Sequence, residues 1–526
     1  MTGAAPRVVR IRRWLAARRR LLDGVALALF WAAVVVYYVF VVSAGHWSSW
    51  FTWTAFYNAQ AEGFRAGHLY IPEVPSAALR ALADPLNPKN MHFWRWDHSY
   101  YRGHLYLYWG FVPAALLAAG KALLRIRTVV GDEVPTFVFV TGRAIVGTLF
   151  IRALARAASP APPAWAIWLS QLVFVLANPI PYFLARGAVY EAAISAGVLF
   201  VLGGLYFGLG AVRRAGHGGG GDWWLAAAGL CFGLAAGSRI SLLPAAGLLT
   251  ALTLLVCWRA GGGGGHRLVR VSLWCGLPAL AVVFVQLLIN HLRFGRWLEF
   301  GVTYQMGFTF ASGLRFVPAN LFLYLLGPPV HSCAFPFLMT RWSTGRAGTP
   351  AWLPWPADYR IEPAIGLLTV VPFLWLLIIV TPLGLARIRA RWAARATAAR
   401  PAPLPAPPDP AARALWTRRW VVAALAIAIL VTAVPPLLIF SNSMRYEWDF
   451  ASGLMLASAL AGWALLRAPR SRRGRIAAAA IFAVLAIASI VAGVLLGFVG
   501  YFDHFARHNP ALLARLQHAL DLCRRP

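Results

Sequence analysis

The sequence predicts an all-α, polytopic transmembrane protein of about eleven spans, with juxtamembrane helices in a long first external loop. Three observations predict it. Hydrophobic residues fill 60% of the 526 positions, charged residues only 13%, and mean hydropathy is +0.63. Apolar stretches of about 20 residues, long enough to cross a bilayer, follow one another along the chain. The net charge of +32 gathers as arginine clusters in every second gap between them, the pattern of the positive-inside rule.

Taken in order, the first span is Leu21 to Ala44, behind Arg7, Arg10, Arg12, Arg13, Arg18, Arg19 and Arg20. A cleaved signal peptide has a shorter apolar region and a small-residue cleavage site, so this reads as an uncleaved anchor with a cytoplasmic N-terminus. Further spans are predicted near 134–156, 163–184, 189–212, 223–238, 240–258, 271–290, 365–386, 420–440, 447–466 and 476–500. The 223–258 pair is short and is expected to kink at Gly237 and Pro244. The inner connections, including a linker at 387–419, and the N-terminal tail hold 27 arginines against two acids, Asp222 and Asp409. Leu105 to Leu124 and Phe316 to Pro336 do not fit the alternation as crossings. They read as juxtamembrane or re-entrant helices, tolerated where protein covers the backbone; the competing reading is that both span. The whole chain, 1–526, reads as one transmembrane domain, with the C-terminus outside.

Composition also excludes. The arginines are spread over short turns rather than gathered in a basic domain, so no nucleic-acid partner is expected; their role is topology and contact with anionic lipid. No cysteine pair has metal-ligand or redox spacing. Gly218 to Gly221 and Gly261 to Gly265 are turns, because no strand-then-helix pattern flanks them as a phosphate loop requires. The proline-rich run Pro401 to Pro410 is an extended linker.

Chemistry is left to the outer side. Two long loops lie there, 45–133 and 291–363, and loops of that length in a compact protein usually carry function. Ala55 to Tyr70 reads as an amphipathic helix ending near Gly67, with Glu62 and Arg65 spaced to pair and an apolar face suited to the membrane surface. In Phe93-Trp-Arg-Trp-Asp-His-Ser-Tyr-Tyr-Arg102, Asp97 is a lone carboxylate among aromatics. It reads as a general base for an acceptor hydroxyl, with Tyr100, Tyr101 and Arg102 as substrate contacts, or as a salt-bridged acid in an interfacial belt. Glu191 falls where a helix re-enters the membrane. It reads as a second site acid, or as a carboxylate favoured there by the helix dipole. Arg239, Arg293, Glu299, Tyr304 and Arg445 are candidates to hold phosphate or sugar, arginine because its planar fork of donors matches phosphate. Arg445 and Asp449 are also spaced for a plain i, i+4 ion pair.

Four segments carry a family resemblance: Trp96-Asp-His-Ser-Tyr-Tyr-Arg-Gly-His-Leu-Tyr-Leu-Tyr-Trp-Gly110, Arg186-Gly-Ala-Val-Tyr-Glu191, Arg293-Phe-Gly-Arg-Trp-Leu-Glu-Phe-Gly301 and Arg445-Tyr-Glu-Trp-Asp-Phe450. With their order and topology, the chain resembles bacterial GT-C integral membrane glycosyltransferases of the polyprenyl-phosphate-sugar-dependent type. The resemblance implies a lipid-linked sugar donor, a glycan, lipid or protein acceptor outside a bacterial inner membrane, and two outward acids. The second maps onto Glu191. The first has no counterpart just after the first span, where His46 to Thr54 carries no acid, and Asp97 is the substitute. Whether a divalent metal joins these acids is open at this level. A transporter or flippase of a lipid-linked sugar is the alternative, as is a catalytically inactive relative. Transport would need polar residues lining a path through the spans, and the acids instead crowd at one face.

Overall fold

The computed structural model describes residues 5–177, 179–215, 221–307, 311–340, 350–381, 410–469, 471–520 and 522–523. Among them the protein is an all-α polytopic bundle with nine helices long and apolar enough to cross a membrane. The chain opens with α1 (Ala5–Val42), of which Leu21–Val42 is the apolar part. The first loop then forms α2 (Phe56–Arg65), α3 (Ala77–Ala81), a hairpin of β1 (His98–Tyr101) and β2 (His104–Tyr106), and α4 (Val112–Leu123). The bundle continues with α5 (Glu133–Ala157), α6 (Ala164–Leu176), the short α7 (Ile180–Leu184), α8 (Val189–Arg214), α9 (Asp222–Ser238), α10 (Leu243–Ala260), α11 (Gly265–Val271) and α12 (Leu277–Phe294). The second loop carries β3 (Gln305–Met306), α13 (Val317–Leu326), β4 (Val330–His331) and β5 (Leu338–Met339). After α14 (Leu367–Val370), three long helices follow: α15 (Pro410–Leu438), α16 (Met444–Arg467) and α17 (Arg472–Gly497). The chain closes with α18 (His504–His508) and α19 (Pro510–Leu520).

The predicted 223–238 span is α9, whose 17 residues rise about 25 Å at 1.5 Å each, just short of a bilayer core. Its glycines let it press against its neighbours: a Cβ on Gly229 would lie 1.9 Å from the Cys275 carbonyl oxygen. The predicted 365–386 span begins as α14 and a short apolar helix, Pro372–Thr381; its remainder and most of the 387–419 linker lie outside the described residues. The two stretches that broke the alternation contain α4 and α13, helices of 12 and 10 residues. At 1.5 Å per residue neither reaches across 30 Å.

Helix α8 is the most enclosed of the spans. Of its apolar window 78% is buried, against 22% for α1. Glycine faces make this possible, since Gly204 receives the Phe232 ring and Gly208 the Trp420 ring. Acid sits in its first turn and Arg213 and Arg214 in its last, both favoured by the helix dipole.

At one end of the bundle the two long loops join. Strand β1 pairs antiparallel with β2 on one side and β3 on the other. A second apolar cluster, which includes Tyr57, Leu105, Leu107, Val189, Ala193 and Met306, welds this sheet and α2 to the first turns of α8. Helix α2 is thus packed on the protein through Tyr57, Asn58, Gln60, Ala61 and Gly63. A disulfide between Cys333 and Cys523 ties the second loop to the chain end, at a separation of 190 residues that no spacing rule reveals.

Candidate functional site

Asp97 sits at the entry to β1 with φ of +63°, a left-handed conformation that aspartate tolerates better than most residues. Its amide donates to the Met306 carbonyl at 3.0 Å. This fixes the turn so that the half-buried side chain faces α8. Oδ1 accepts a short hydrogen bond from the Tyr190 hydroxyl and a long one, 3.5 Å, from Tyr108. Tyr108 in turn accepts from Gln305 Nε2 at 3.0 Å. Among the described residues no donor reaches Oδ2 of Asp97.

Tyr108, Tyr190 and Gln305 line a cavity of about 250 Å³, together with Arg239, Tyr446, Ile240 and the Pro435–Pro436 pair. Each wall has a local cause. Helix α9 ends at Arg239, whose backbone is extended, and Pro244 restarts the chain in the first turn of α10. The kink expected between Gly237 and Pro244 therefore delivers Arg239 to the cavity. Gly110 closes the floor, since a Cβ there would lie 2.1 Å from the Gly237 carbonyl oxygen. Two prolines inside α15 bare part of its hydrogen-bond ladder beside the cavity. Burial, with the charges of Tyr190 and Asp97, pushes the Tyr108 hydroxyl well above its ordinary range, so it serves as a donor.

Arg239 forms a tight ion pair with Asp449, which is almost wholly buried. Arg445 does not pair with Asp449 as its i, i+4 spacing suggested. It pairs with Glu362 at 3.1 Å and donates to the Tyr501 hydroxyl at 3.3 Å, because α16 turns these two positions toward different neighbours. Burial alone would raise the Glu362 carboxyl. Arg445, the hydroxyls of Tyr501 and Ser443, and Arg186 outweigh it and hold Glu362 below its ordinary value. The Arg445 guanidinium also lies 4.7 Å from the Tyr190 ring centroid, behind the cavity wall.

Glu191 does not line the cavity. It is 1% exposed, and its nearest cation is Arg186 at 3.5 Å. Arg186 is in turn roofed by the rings of Tyr501 and Phe502. Among the described residues no group of three or more His, Cys, Asp or Glu side chains is arranged to hold a metal ion.

The other sequence candidates lie apart from the cavity. Tyr100 and Tyr101 point to opposite faces of β1, as strand geometry requires. Tyr100 packs into the second apolar cluster, while Tyr101 meets Tyr304 with ring centroids 4.5 Å apart. Arg102 occupies the two-residue hairpin turn with Gly103, both at positive φ, and rests on the Tyr101 ring. Arg293 is buried and donates to the Leu107 carbonyl at 3.1 Å, tying α12 to the first loop. Glu299 accepts from the Gly301 amide at 2.7 Å and the Thr303 hydroxyl at 2.8 Å, closing its own turn. Glu62 pairs with Arg65 as expected, at 3.1 Å, and also with the buried Lys121 at 2.6 Å.

Tyr108, Tyr190, Gln305 and Tyr446 are among the cavity residues that sequence reasoning passed over. Tyr190 stood beside Glu191 in a quoted motif. About 100° of helical rotation decides which of the two meets the cavity.

No protein family matches this chain by sequence profile, and no curated protein matches it. Two solved structures show similarity to this chain. One is the Archaeoglobus fulgidus oligosaccharyltransferase in the apo form, 12% identical over 90% of this chain and 56% of that one, with a TM-score of 0.46. The other is archaeal oligosaccharyltransferase AglB from Archaeoglobus fulgidus with an inhibitory peptide and a dolichol-phosphate. It is 13% identical over 89% of this chain and 55% of that one, with a TM-score of 0.41. The chain thus spans a little over half the length of either. At such distances function has to be read from this chain's own side chains.

Proposed function

We propose that this protein is a GT-C-type membrane glycosyltransferase that moves a sugar from a polyprenyl-phosphate donor to an extracytoplasmic glycan, lipid or protein acceptor. The observation that carries the reading is the cavity. Its lining joins the apolar Ile240, Pro435, Pro436 and Ile439 to Arg239 and to Tyr108 and Tyr190, which hold a carboxylate.

In this reading Arg239 and Tyr446 receive the donor phosphate and the apolar wall receives the first prenyl units. Asp97 Oδ2 accepts the proton of the acceptor hydroxyl as that oxygen bonds to the anomeric carbon. The bond from that carbon to the phosphate oxygen breaks, and polyprenyl phosphate leaves with its charge held by Arg239. Tyr190 and Tyr108 occupy Oδ1, so the proton has one address. Glu191 is a buried partner of Arg186, outside the reacting space. No step is routed through a metal.

The arginine alternation supports an outward-facing cavity in a bacterial inner membrane, with a cytoplasmic N-terminus. The Cys333–Cys523 bond supports it independently, because disulfides persist in oxidising compartments and this one joins the second loop to the chain end.

The test uses purified protein in vesicles containing a polyprenyl phosphate that bears a radiolabelled hexose, with a soluble acceptor outside. Label on the acceptor is the expected result. Label that crosses the bilayer still attached to lipid would make the protein a flippase, and label that stays in place would contradict both activities.

A further inference from the structure

Asp132, just before α5, plays no part in the mechanism above, yet it is fully buried and saturated with donors. Its Oδ2 accepts from the Thr54 hydroxyl at 2.6 Å and the Phe56 amide at 2.9 Å, and its Oδ1 from the Tyr57 amide at 3.1 Å. The amide bonds cap α2, whose first N–H groups have no partner inside the helix. The Thr54 bond leads elsewhere. The Thr54 hydroxyl oxygen accepts from the amide of Val189, the first residue of α8, at 2.9 Å. The Asp132 amide donates to the Thr54 carbonyl at 2.8 Å, so Thr54 is gripped from both sides. The turn before α8 is pressed onto the same spot, since a Cβ on Gly187 would lie 2.3 Å from the Cα of Glu133.

We propose that Asp132 is a positioning residue for the cavity: acting through Thr54, it holds the first turn of α8 so that the Tyr190 hydroxyl reaches Asp97. This deepens the transferase reading and rests on it for its catalytic consequence. Tyr190 follows Val189 directly, so any shift of that amide moves the Tyr190 ring. Three donors converge on Asp132, and only a carboxylate, an acceptor at every lone pair, takes them all; asparagine would turn an NH₂ group against one of them. The residue is absent from the cavity lining, yet it connects the first loop, the start of α5 and the start of α8 in one hydrogen-bonded chain.

The experiment compares Asp132→Asn, Thr54→Val and Thr54→Ser in the full-length protein. The first readout is amide hydrogen exchange over 189–192 and over 56–60. The second is kcat and KM with the polyprenyl-phosphate hexose. Asp132→Asn and Thr54→Val are expected to speed exchange over 189–192 and lower kcat roughly 10- to 100-fold, since displacements near 1 Å carry costs of that order. Donor KM stays close to wild type because Arg239 is untouched. Thr54→Ser restores both readouts, and the double variant is no slower than the worse single one, as members of one chain are non-additive. Exchange raised only over 56–60, with wild-type kcat, would reduce Asp132 to a cap of α2 and overturn the proposal. If Asp132→Asn does not fold, the two Thr54 variants decide alone. If the wild-type protein transfers no sugar, the transferase reading fails, and exchange over 189–192 still decides whether Asp132 and Thr54 hold α8.

Discussion

Tyr190 and Glu191 are neighbours in the chain, but the two sides of the first turn of α8 are built on different principles. On the Tyr190 side, Asp97 is half-buried and hydrogen-bonded through one oxygen to Tyr190 and Tyr108, and those two tyrosines line a cavity of about 250 Å³. On the Glu191 side charge faces charge: Glu191 lies 3.5 Å from Arg186, and Arg445 is shared between Glu362 and Tyr501. Acids at one end of a bundle are costly to keep there, and the cost is met in two ways. One arrangement neutralises charge with charge and closes over it. The other leaves an oxygen in reach of an incoming group. In the proposed reading, only the second exchanges a proton with a substrate.

The largest expected effect lies on the closed side. Arg445→Met strands the Glu362 carboxylate next to a buried hydroxyl, and breaking a buried pair from one side typically costs about 3–5 kcal/mol. Thermal unfolding in detergent should show that loss. Unfolding at the wild-type temperature would mean that the cluster is not structural. On the open side, Tyr190→Phe removes a hydrogen bond to a charged group, worth about 1.5–3 kcal/mol. The expected result is a lower transfer rate with a smaller fall in unfolding temperature than Arg445→Met gives.

Titration separates two further carboxyls. Glu362 is held below its ordinary value of 4.5, so its contribution is complete above that value and is lost as pH falls through the lower, folded-state value. Asp132 runs the other way. Burial pushes it up from 3.8 to about 7 against its hydrogen bonds to Thr54, Phe56 and Tyr57, with Glu133 adding to the rise. Between those values the folded state binds more protons than the unfolded one, so this contribution shrinks as pH rises. Unfolding followed from pH 8 to pH 3 should show stability rising toward pH 5 and falling in stronger acid. Arg445→Met should flatten the acid limb and Asp132→Asn the other; limbs unmoved by either variant would contradict both assignments. The smallest effect belongs to Glu62. Its side chain is 38% exposed, so although Lys121 and Arg65 lower its pKa, Glu62→Gln should cost only about 0–1 kcal/mol and leave transfer unchanged.

The spans were legible because lipid imposes length and hydropathy, and the positive-inside rule marks the gaps. The short helices α4 and α13 were legible for the same reason, as apolar stretches that spoiled the alternation. Arg239 could be placed because Gly237 and Pro244 announce a break. The β1–β2 hairpin was not read. Its turn is Arg102-Gly103, without the Asn or Asp that usually signals such a turn, and its aromatics read equally as an interfacial belt. The ion pairs were not legible either. Sequence suggests neighbours one helical turn apart, whereas Arg445 pairs 83 residues away and Arg239 210 residues away. Asp132 was hidden among the boundary residues of a span, because its donors, the Thr54 hydroxyl and the Phe56 and Tyr57 amides, are brought in by the first loop.

The most direct test of the contrast between the two sides is a paired measurement of transfer by Asp97→Asn and Glu191→Gln with the same polyprenyl-phosphate hexose, alongside their unfolding temperatures. Removing a general base typically costs about 10²–10⁴-fold in rate. Asp97→Asn is expected to lose turnover on that scale and to unfold like the wild type. Glu191→Gln is expected to keep its turnover and unfold at a lower temperature, because Arg186 loses its buried partner. Near-normal turnover by Asp97→Asn, with turnover lost in Glu191→Gln, would contradict the account and move the chemistry to the closed side of α8.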